Sequence, residues 1–488
     1  MTDAISSPPR SLLPLQIVVG LFLALRVAMH VFAAPLGDET YYWFWGLNPD
    51  LSYYDHPPLH AWLLGVVSLF GWWPISPRIL TWVTLGGTLW LFWLFAKRLA
   101  PENPAERFWL TAAIYLASPL FFAMTLVSYH DHLLIFLLLA SAWCFLGFAD
   151  RYERGETRWR WLYGAAALLG LAALTKYNAV LFGLGAGIFF IVRPGVRPLF
   201  RSPHLWLAAL LAIAIQTPVF AWNIWHGFSS YEFHFSTRWG GGHEPNWTAP
   251  LTFLLTTALS IGPFLIWPIL RMIGTPTLDF EARAKTLAIC LLVVSTAILA
   301  VISIFLGAFF YWNIVAYIVA MPLLARHVGR GIQFWLHAVL GFLAAGVIIF
   351  NFAIAPIAPL AGGTDGGSAV NFGWDIIPAR VEARLAEHPD ARLAGTRYSI
   401  ATQLGFALKR PDVVALSVEL DQFDYWFEKE AQMGRNFIIL ADDNDIPEEA
   451  AYLAERFERV TELETIPVER LGVTVFHFRI LLAEGYRP

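Results

Sequence analysis

The chain has 488 residues, of which 57% are hydrophobic and only 14% charged. A soluble domain carries about 25% charged residues, so this composition, with a mean hydropathy of +0.55, excludes an ordinary globular protein and points to a polytopic membrane protein. The net charge of −4 conceals a division: residues 358–488 hold 22 acids against 13 Lys and Arg, and the remainder holds 15 against 20. No basic block of the nucleic-acid type is present. The two cysteines, Cys144 and Cys290, lie in apolar runs and give no disulfide framework.

In chain order, Arg10 precedes an apolar run at 11–35 that is too long for a signal peptide and has no A-x-A-like site, so it reads as a retained first span. Runs of roughly 17–25 apolar residues can cross the hydrocarbon. About eleven occur: 11–35, 78–97, 108–125, 131–149, 161–175, 178–192, 204–223, 249–270, 286–306, 309–325 and 333–357. With the N-terminus inside, the inner loops collect nearly all the cations, among them Arg98, Arg154, Arg193 and Arg283. The outer segments before the last span hold Arg78, Lys176 and Arg238. The positive-inside rule favours that orientation. It puts residues 36–77, with their juxtamembrane helices, on the outer face of a bacterial inner membrane, together with the acidic C-terminal region. The segment 57-PPLHAWLLGVVSLFGWW-73 begins with prolines and ends in Gly-Trp-Trp, and reads as an interfacial helix.

Residues 1–357 thus form a transmembrane domain, and 358–488 a small extracytoplasmic α/β domain. Helical periodicity over 376–388, 399–409 and 447–457 alternates with β-like runs at 391–396, 412–417, 436–442 and 472–481. The glycine-rich 361-AGGTDGGSA-369 reads as a linker.

The outer segments carry the chemistry. In 36-LGDETYYWFWGLNPDLSYYDHPPLHAW-62, Asp38 and Glu39 stand beside a span end among Tyr41, Tyr42, Trp43 and Trp45. Most of these rings are expected to form an interfacial belt. A carboxylate here can serve as general base if it reaches a hydroxyl proton. Asp131, in 128-SYHDHLL-134, lies at the outer mouth of the fourth run, where charge needs a reason; a helix cap is the bland one. Pro57 and Pro58 hold Asp55 and His56 in a stiff turn. His226, His234 and Arg238 follow in 222-WNIWHGFSSYEFHFSTRWGG-241, types that suit a metal or an anion. Lys176 is the cation of the 174-LTKYNAV-180 hairpin. Acids for a base, cations and histidines for a leaving phosphate, and a greasy wall suit group transfer from a lipid phosphate carrier. A transporter or flippase of lipid-linked sugars is the alternative. It would concentrate charge near the midplane, where this chain places little beyond Arg26.

The pair 38-DETYYWFW-45 and 53-YYDHPPLHAWL-63 resembles the first outer loop of GT-C membrane glycosyltransferases, closest to glycosyltransferase family 39, which includes the lipid A aminoarabinose transferase and the protein O-mannosyltransferases. Arg78, Asp131, 174-LTKYNAV-180, 218-PVFAWNIWHGFSSYEF-233, 372-FGWD-375, 397-RYSIATQLGF-406 and 423-FDYW-426 extend the resemblance over most of the chain. The resemblance implies an inverting transferase. Its donor would be a polyprenyl-phosphate-linked hexose or pentose, and its acceptor a glycolipid such as lipid A, a glycan or a protein. It implies Asp38 as base with Glu39 beside it and Asp131 as second acid. Arg78, Lys176, His56 and Arg238 would serve the donor phosphate, and Asp55 with His234 or His226 a possible divalent metal ion. The aminoarabinose transferase has Glu-Lys before its Pro-Pro turn, where this chain has Asp55-His56.

Overall fold

The structure, a computed structural model, describes residues 11–235, 244–444 and 446–488. Apolar segments close their backbone hydrogen bonds as helices because a bilayer offers no partners. Among the described residues, Leu13–Phe32, Ser76–Leu99, His130–Glu153, Asp279–Phe305 and Ile332–Ile354 are long and apolar enough to cross a membrane. Four helix pairs are bent by 45° to 107° and bring the number to nine if each is one span. Proline opens the second half of these pairs at Pro119, Pro194, Pro218 and Pro263. Its ring displaces the preceding residue from helical geometry and removes a donor. The other two expected spans are the 15-residue helix Trp159–Ala173 and the broken pieces Phe310–Ala316 and Met321–Val328.

Helix His130–Glu153 has Asp131 near its start and Asp150 near its end. At about 1.5 Å per residue, 24 residues run about 36 Å. At the far end Asp150 pairs with Arg98 at 2.5 Å, Arg154 at 2.6 Å and Arg283 at 3.0 Å, and Glu153 pairs with Arg193 and Arg283. In the interior, Arg26 donates to Thr125 Oγ1 at 2.7 Å and Thr81 Oγ1 at 3.3 Å and lies over the Trp82 ring.

The C-terminal region folds as an α/β layer on a five-stranded sheet: β1 Arg392–Gly395, β2 Val414–Ala415, β3 Phe437–Asp442, β4 Phe457–Arg470 and β5 Val473–Tyr486, in the order β2-β1-β3-β5-β4. β1 is parallel to β2 and β3; β5 is antiparallel to β3 and β4. Helices Ile377–Glu387, Tyr398–Leu408 and Ile446–Arg456 agree with the expected ones. β4 was not expected; it is a largely exposed edge strand of charged residues.

The segment after the first helix forms helix Gly37–Leu47, packed on the ten-residue helix Leu59–Ser68, which is too short to cross. The two touch backbone to backbone at Gly46 and Gly65, where a Cβ on either would lie 2.6 Å from the other. Here an expectation is corrected. Tyr41, Tyr42, Trp43, Phe44 and Trp45 are all buried, in one hydrophobic core with Ile400, Leu404, Phe406 and Phe423. They join the two halves of the protein and form no interfacial belt, because the α/β domain sits on them. Gly37 and Gly405 permit that approach: a Cβ on Gly37 would meet Ser399 Cβ at 2.7 Å, and one on Gly405 would meet the Phe44 ring at 2.4 Å. Thr40 and Thr402 bond at 3.0 Å, Gln403 Nε2 donates to the Pro35 carbonyl at 3.1 Å, and the Gln422 N–H donates to Tyr41 Oη at 2.8 Å.

A buried ion pair holds helix Gly37–Leu47 to the bundle. Arg78 is fully buried and donates to both Glu39 oxygens from Nε at 3.0 Å and to Oε2 from Nη2 at 2.7 Å. It also donates to the carbonyls of Ala33 and Ala34 at 2.9 Å. Glu39 accepts further from the Leu36 N–H at 2.9 Å and the Ser128 N–H at 2.8 Å. Burial pushes the Glu39 carboxyl up, but Arg78 and these donors together bring it below the usual range. Removing one partner of such a pair costs about 3–5 kcal/mol, because the other charge stays buried. Glu39→Gln is therefore expected to destabilise the folded protein by about that amount, read as a fall in thermal midpoint in detergent. A midpoint within about a degree of the parent's would show that the pair does not hold the segment.

Candidate active site

Asp38 follows from this clamp. Successive helical residues point about 100° apart, so with Glu39 turned into the bundle, Asp38 faces a cavity of about 430 Å³. That cavity is walled by Leu36, Gly37 and Tyr129 on one side and by Val370, Asn371, Arg397, Ser399 and Asn444 of the C-terminal domain on the other. Tyr398 Oη donates to Asp38 Oδ1 at 3.0 Å, and its ring packs on Tyr41 at 4.2 Å. The neighbouring Asp38 carboxylate, then burial, raise the Tyr398 phenol well above its ordinary value, so it stays a donor.

A second chamber of about 200 Å³ is lined by His56, Lys176, Tyr177, Asn178 and His234, with Val180, Leu181, Leu299, Ile302, Leu306 and Trp312 as an apolar wall. Lys176 Nζ donates to Asp131 at 2.7 and 2.9 Å, both groups being buried, and lies 5.2 Å from the Tyr311 ring centroid. Asp131 sits in the first turn of its helix and binds this lysine. Tyr129, two residues earlier, lines the Asp38 cavity, so one turn of chain serves both chambers.

Histidines fill the space between. The His56 and His130 rings lie 4.2 Å apart, His60 and His130 4.8 Å, and His56 and His234 6.0 Å. His60 Nε2 meets His132 Nε2 at 3.3 Å. Burial pushes His60 down to about 3, so its imidazole is neutral at ordinary pH.

His234 turns Nε2 to the Asp55 carbonyl at 2.7 Å, and His226 turns Nδ1 to the Trp222 carbonyl at 2.8 Å and stacks on that indole. Among the described residues no three His, Cys, Asp or Glu side chains are grouped to hold a metal ion. Arg238 falls outside the described residues. Glu39 and Arg78 are engaged with each other, and neither lines either chamber. Sequence reasoning missed Tyr398, Arg397 and Tyr129. The 397-RYSIATQLGF-406 motif was the available signal for the first two, but nothing local tied it to Asp38, 360 positions earlier.

A family model described as dolichyl-phosphate-mannose-protein mannosyltransferase matches residues 55–222. The lipid A galacturonosyltransferase RgtD of Rhizobium johnstonii is 27% identical over 325 residues, covering 64% of this chain and 64% of that relative, which is under two thirds of its length. The crystal structure of ArnT from Cupriavidus metallidurans bound to undecaprenyl phosphate aligns with a TM-score of 0.60 at 15% identity, covering 97% of this chain and 98% of that one. The apo form of ArnT aligns with the same TM-score at 16% identity, covering 96% and 98%. At such identities the structural likeness is one of fold. With the matched segment beginning at Asp55 and the alignment running over nearly the whole chain, the resemblance read from the sequence holds: this is a chain of the GT-C fold, similar to the membrane glycosyltransferases that share it.

Proposed function

We propose that the protein is an inverting glycosyltransferase that moves a sugar from a polyprenyl-phosphate carrier to a hydroxyl of a lipid A-type glycolipid. The observation that carries this reading is the pair of chambers: Asp38 faces a polar cavity roofed by the C-terminal domain, and Lys176 heads a separate apolar one. The positive-inside count supports eleven spans and an outer, periplasmic face for both chambers and for residues 358–488. The names of the relatives, a lipid A sugar transferase and a protein bound to undecaprenyl phosphate, agree with the donor and acceptor classes.

In this reading the donor phosphate rests against Lys176 and His56, with its prenyl tail along Leu181, Leu299, Ile302 and Leu306. The acceptor enters from the Asp38 side. Asp38 takes the hydroxyl proton, the oxygen forms a bond to the anomeric carbon from the face opposite the phosphate, and the carbon–oxygen bond to the phosphate breaks with its electron pair going to phosphate. Lys176 stabilises the charge that develops there. Asp131 offsets the cost of burying that lysine and positions it. Glu39 and Arg78 act on Asp38 as positioning residues, and Tyr398 orients its carboxylate.

Three variants test the assignment in proteoliposomes, with product read by mass spectrometry of the glycolipid. Asp38→Asn removes a base without changing shape and is expected to lower turnover about a thousandfold while leaving the thermal midpoint in place; near-parental turnover removes Asp38 from the mechanism. Lys176→Met is expected to weaken donor use about tenfold or more with little change in acceptor KM. An equal effect on both substrates would contradict a donor-phosphate role. Tyr398→Phe deletes one hydrogen bond to a charged group, worth about tenfold in kcat. An unchanged kcat would leave Tyr398 as packing alone.

A further inference from the structure

A third cavity, of about 300 Å³, lies in the C-terminal domain and is lined by Arg397, Tyr398, Ser399, Ser417, Asp421 and Glu449, with Val418, Glu419, Leu420 and Glu448 around them. Arg397 and Ser399 also wall the Asp38 cavity, and Tyr398 lines this one while its hydroxyl reaches Asp38. The two spaces are therefore neighbours across one turn of chain.

Topology explains why a cavity forms here. From β1 the chain passes through helix Tyr398–Leu408 to β2 on one side of the sheet; from β3 it passes through helix Ile446–Arg456 toward β4 and β5 on the other. Between parallel β1 and β3 the strand order reverses, and crevices outside the carboxyl ends of strands at such a switch point bind ligands. Arg397 follows β1 there, Asp442 ends β3, and the two form an ion pair.

The groups at the crevice are not all satisfied by the protein. Glu449 is 3% exposed, yet neither of its carboxylate oxygens makes a well-directed hydrogen bond. Arg397 Nε, also buried and not hydrogen-bonded, lies 3.9 Å from Glu449 Oε1. That separation is too long for a direct bond, but one hydroxyl can accept from the guanidinium and donate to the carboxylate at once. Burial, with Asp442 adding, pushes the Glu449 carboxyl up to about 7, against the opposing pull of the Thr396 hydroxyl and of Arg397 and Arg479. Asp421 differs: its oxygens are taken by Ser417 Oγ at 2.5 Å and the Phe423 N–H at 2.7 Å. Four carboxyls against one guanidinium disfavour a phosphate or carboxylate ligand. Exposed Val418 and Leu420 add apolar surface that suits the C–H face of a sugar ring.

We propose that this cavity is a second saccharide subsite, in which Arg397 and Glu449 bind hydroxyls of an acceptor sugar adjoining the one that reacts at Asp38. The proposal rests on the reading of Asp38 as the transfer site. It gives the C-terminal domain a part in selecting acceptors of more than one sugar.

The test uses the full chain in proteoliposomes, with the variants Glu449→Gln and Glu449→Leu. Neither is part of the transfer machinery, and each removes a buried acid, so thermal midpoints should hold or rise. Acceptor KM for lipid A is expected to rise about tenfold, with donor KM and saturated kcat within about twofold, and with no change for a one-sugar glycolipid acceptor. Saturation-transfer NMR with the deacylated saccharide of lipid A should show contact with the parent protein and lose it in both variants. Unchanged acceptor KM, an equal loss on both acceptors, or retained saccharide contact overturns the subsite. Absence of any transfer by the parent counts against the transferase reading, and the NMR arm still decides on the subsite by itself.

Discussion

Arg78 closes over Glu39 where neither side chain reaches water, and the position of Asp38 follows from that contact. The pair fastens three segments at once. Arg78 takes the carbonyls at the end of the first helix, and Glu39 takes the N–H that opens its own helix and the N–H of Ser128. Each bond satisfies a group that would otherwise be buried and unpaired, so the arrangement has little freedom to shift without exposing a charge to hydrocarbon. Asp38 is then aimed by helix geometry, and Tyr129 and Asp131 by the short chain leading away from Ser128.

A second constraint is the join between the two halves. The five consecutive aromatic and tyrosyl side chains of 41–45 are buried against helix Tyr398–Leu408 and the turn at Gln422–Tyr425. The C-terminal domain is thus packed as part of one core, and its residues complete the site: Tyr398 touches Asp38, and Arg397, Ser399 and Asn444 wall the cavity. The sheet's carboxyl edge is turned toward the same end of the bundle as Asp131 and Lys176. The opposite end of helix His130–Glu153 holds a cage of arginines around Asp150 and Glu153, so the two ends are built for different surroundings.

Much of this was legible in the sequence, for definite reasons. Long apolar runs announce helices because the bilayer leaves no other option, and the short β-like runs at 391–396, 436–442 and 472–481 correspond to buried or half-buried strands with the expected apolar content. Other features were hidden. β4 alternates charge along an exposed edge and contains Pro467, so it shows little of the β-branched, aromatic pattern that marks a strand. The bends of the four helix pairs fall at prolines, but whether a proline kinks or ends a helix depends on its neighbours. The aromatic run of 41–45 looks the same in sequence whether lipid headgroups or another domain covers it. Glu39 and Asp38 are adjacent acids, and the location of Arg78 separates their surroundings.

That separation gives the acids different partners. Glu39 and Asp131 each meet a buried cation, Arg78 and Lys176. The Arg78 guanidinium, with the donors around it, holds Glu39 as a carboxylate. Asp38 accepts from a phenol, whose own proton is held by the same carboxylate and by burial. That bond fixes the orientation of Asp38 Oδ1. Lys176 lines the other chamber, and Arg397 shares the Asp38 cavity.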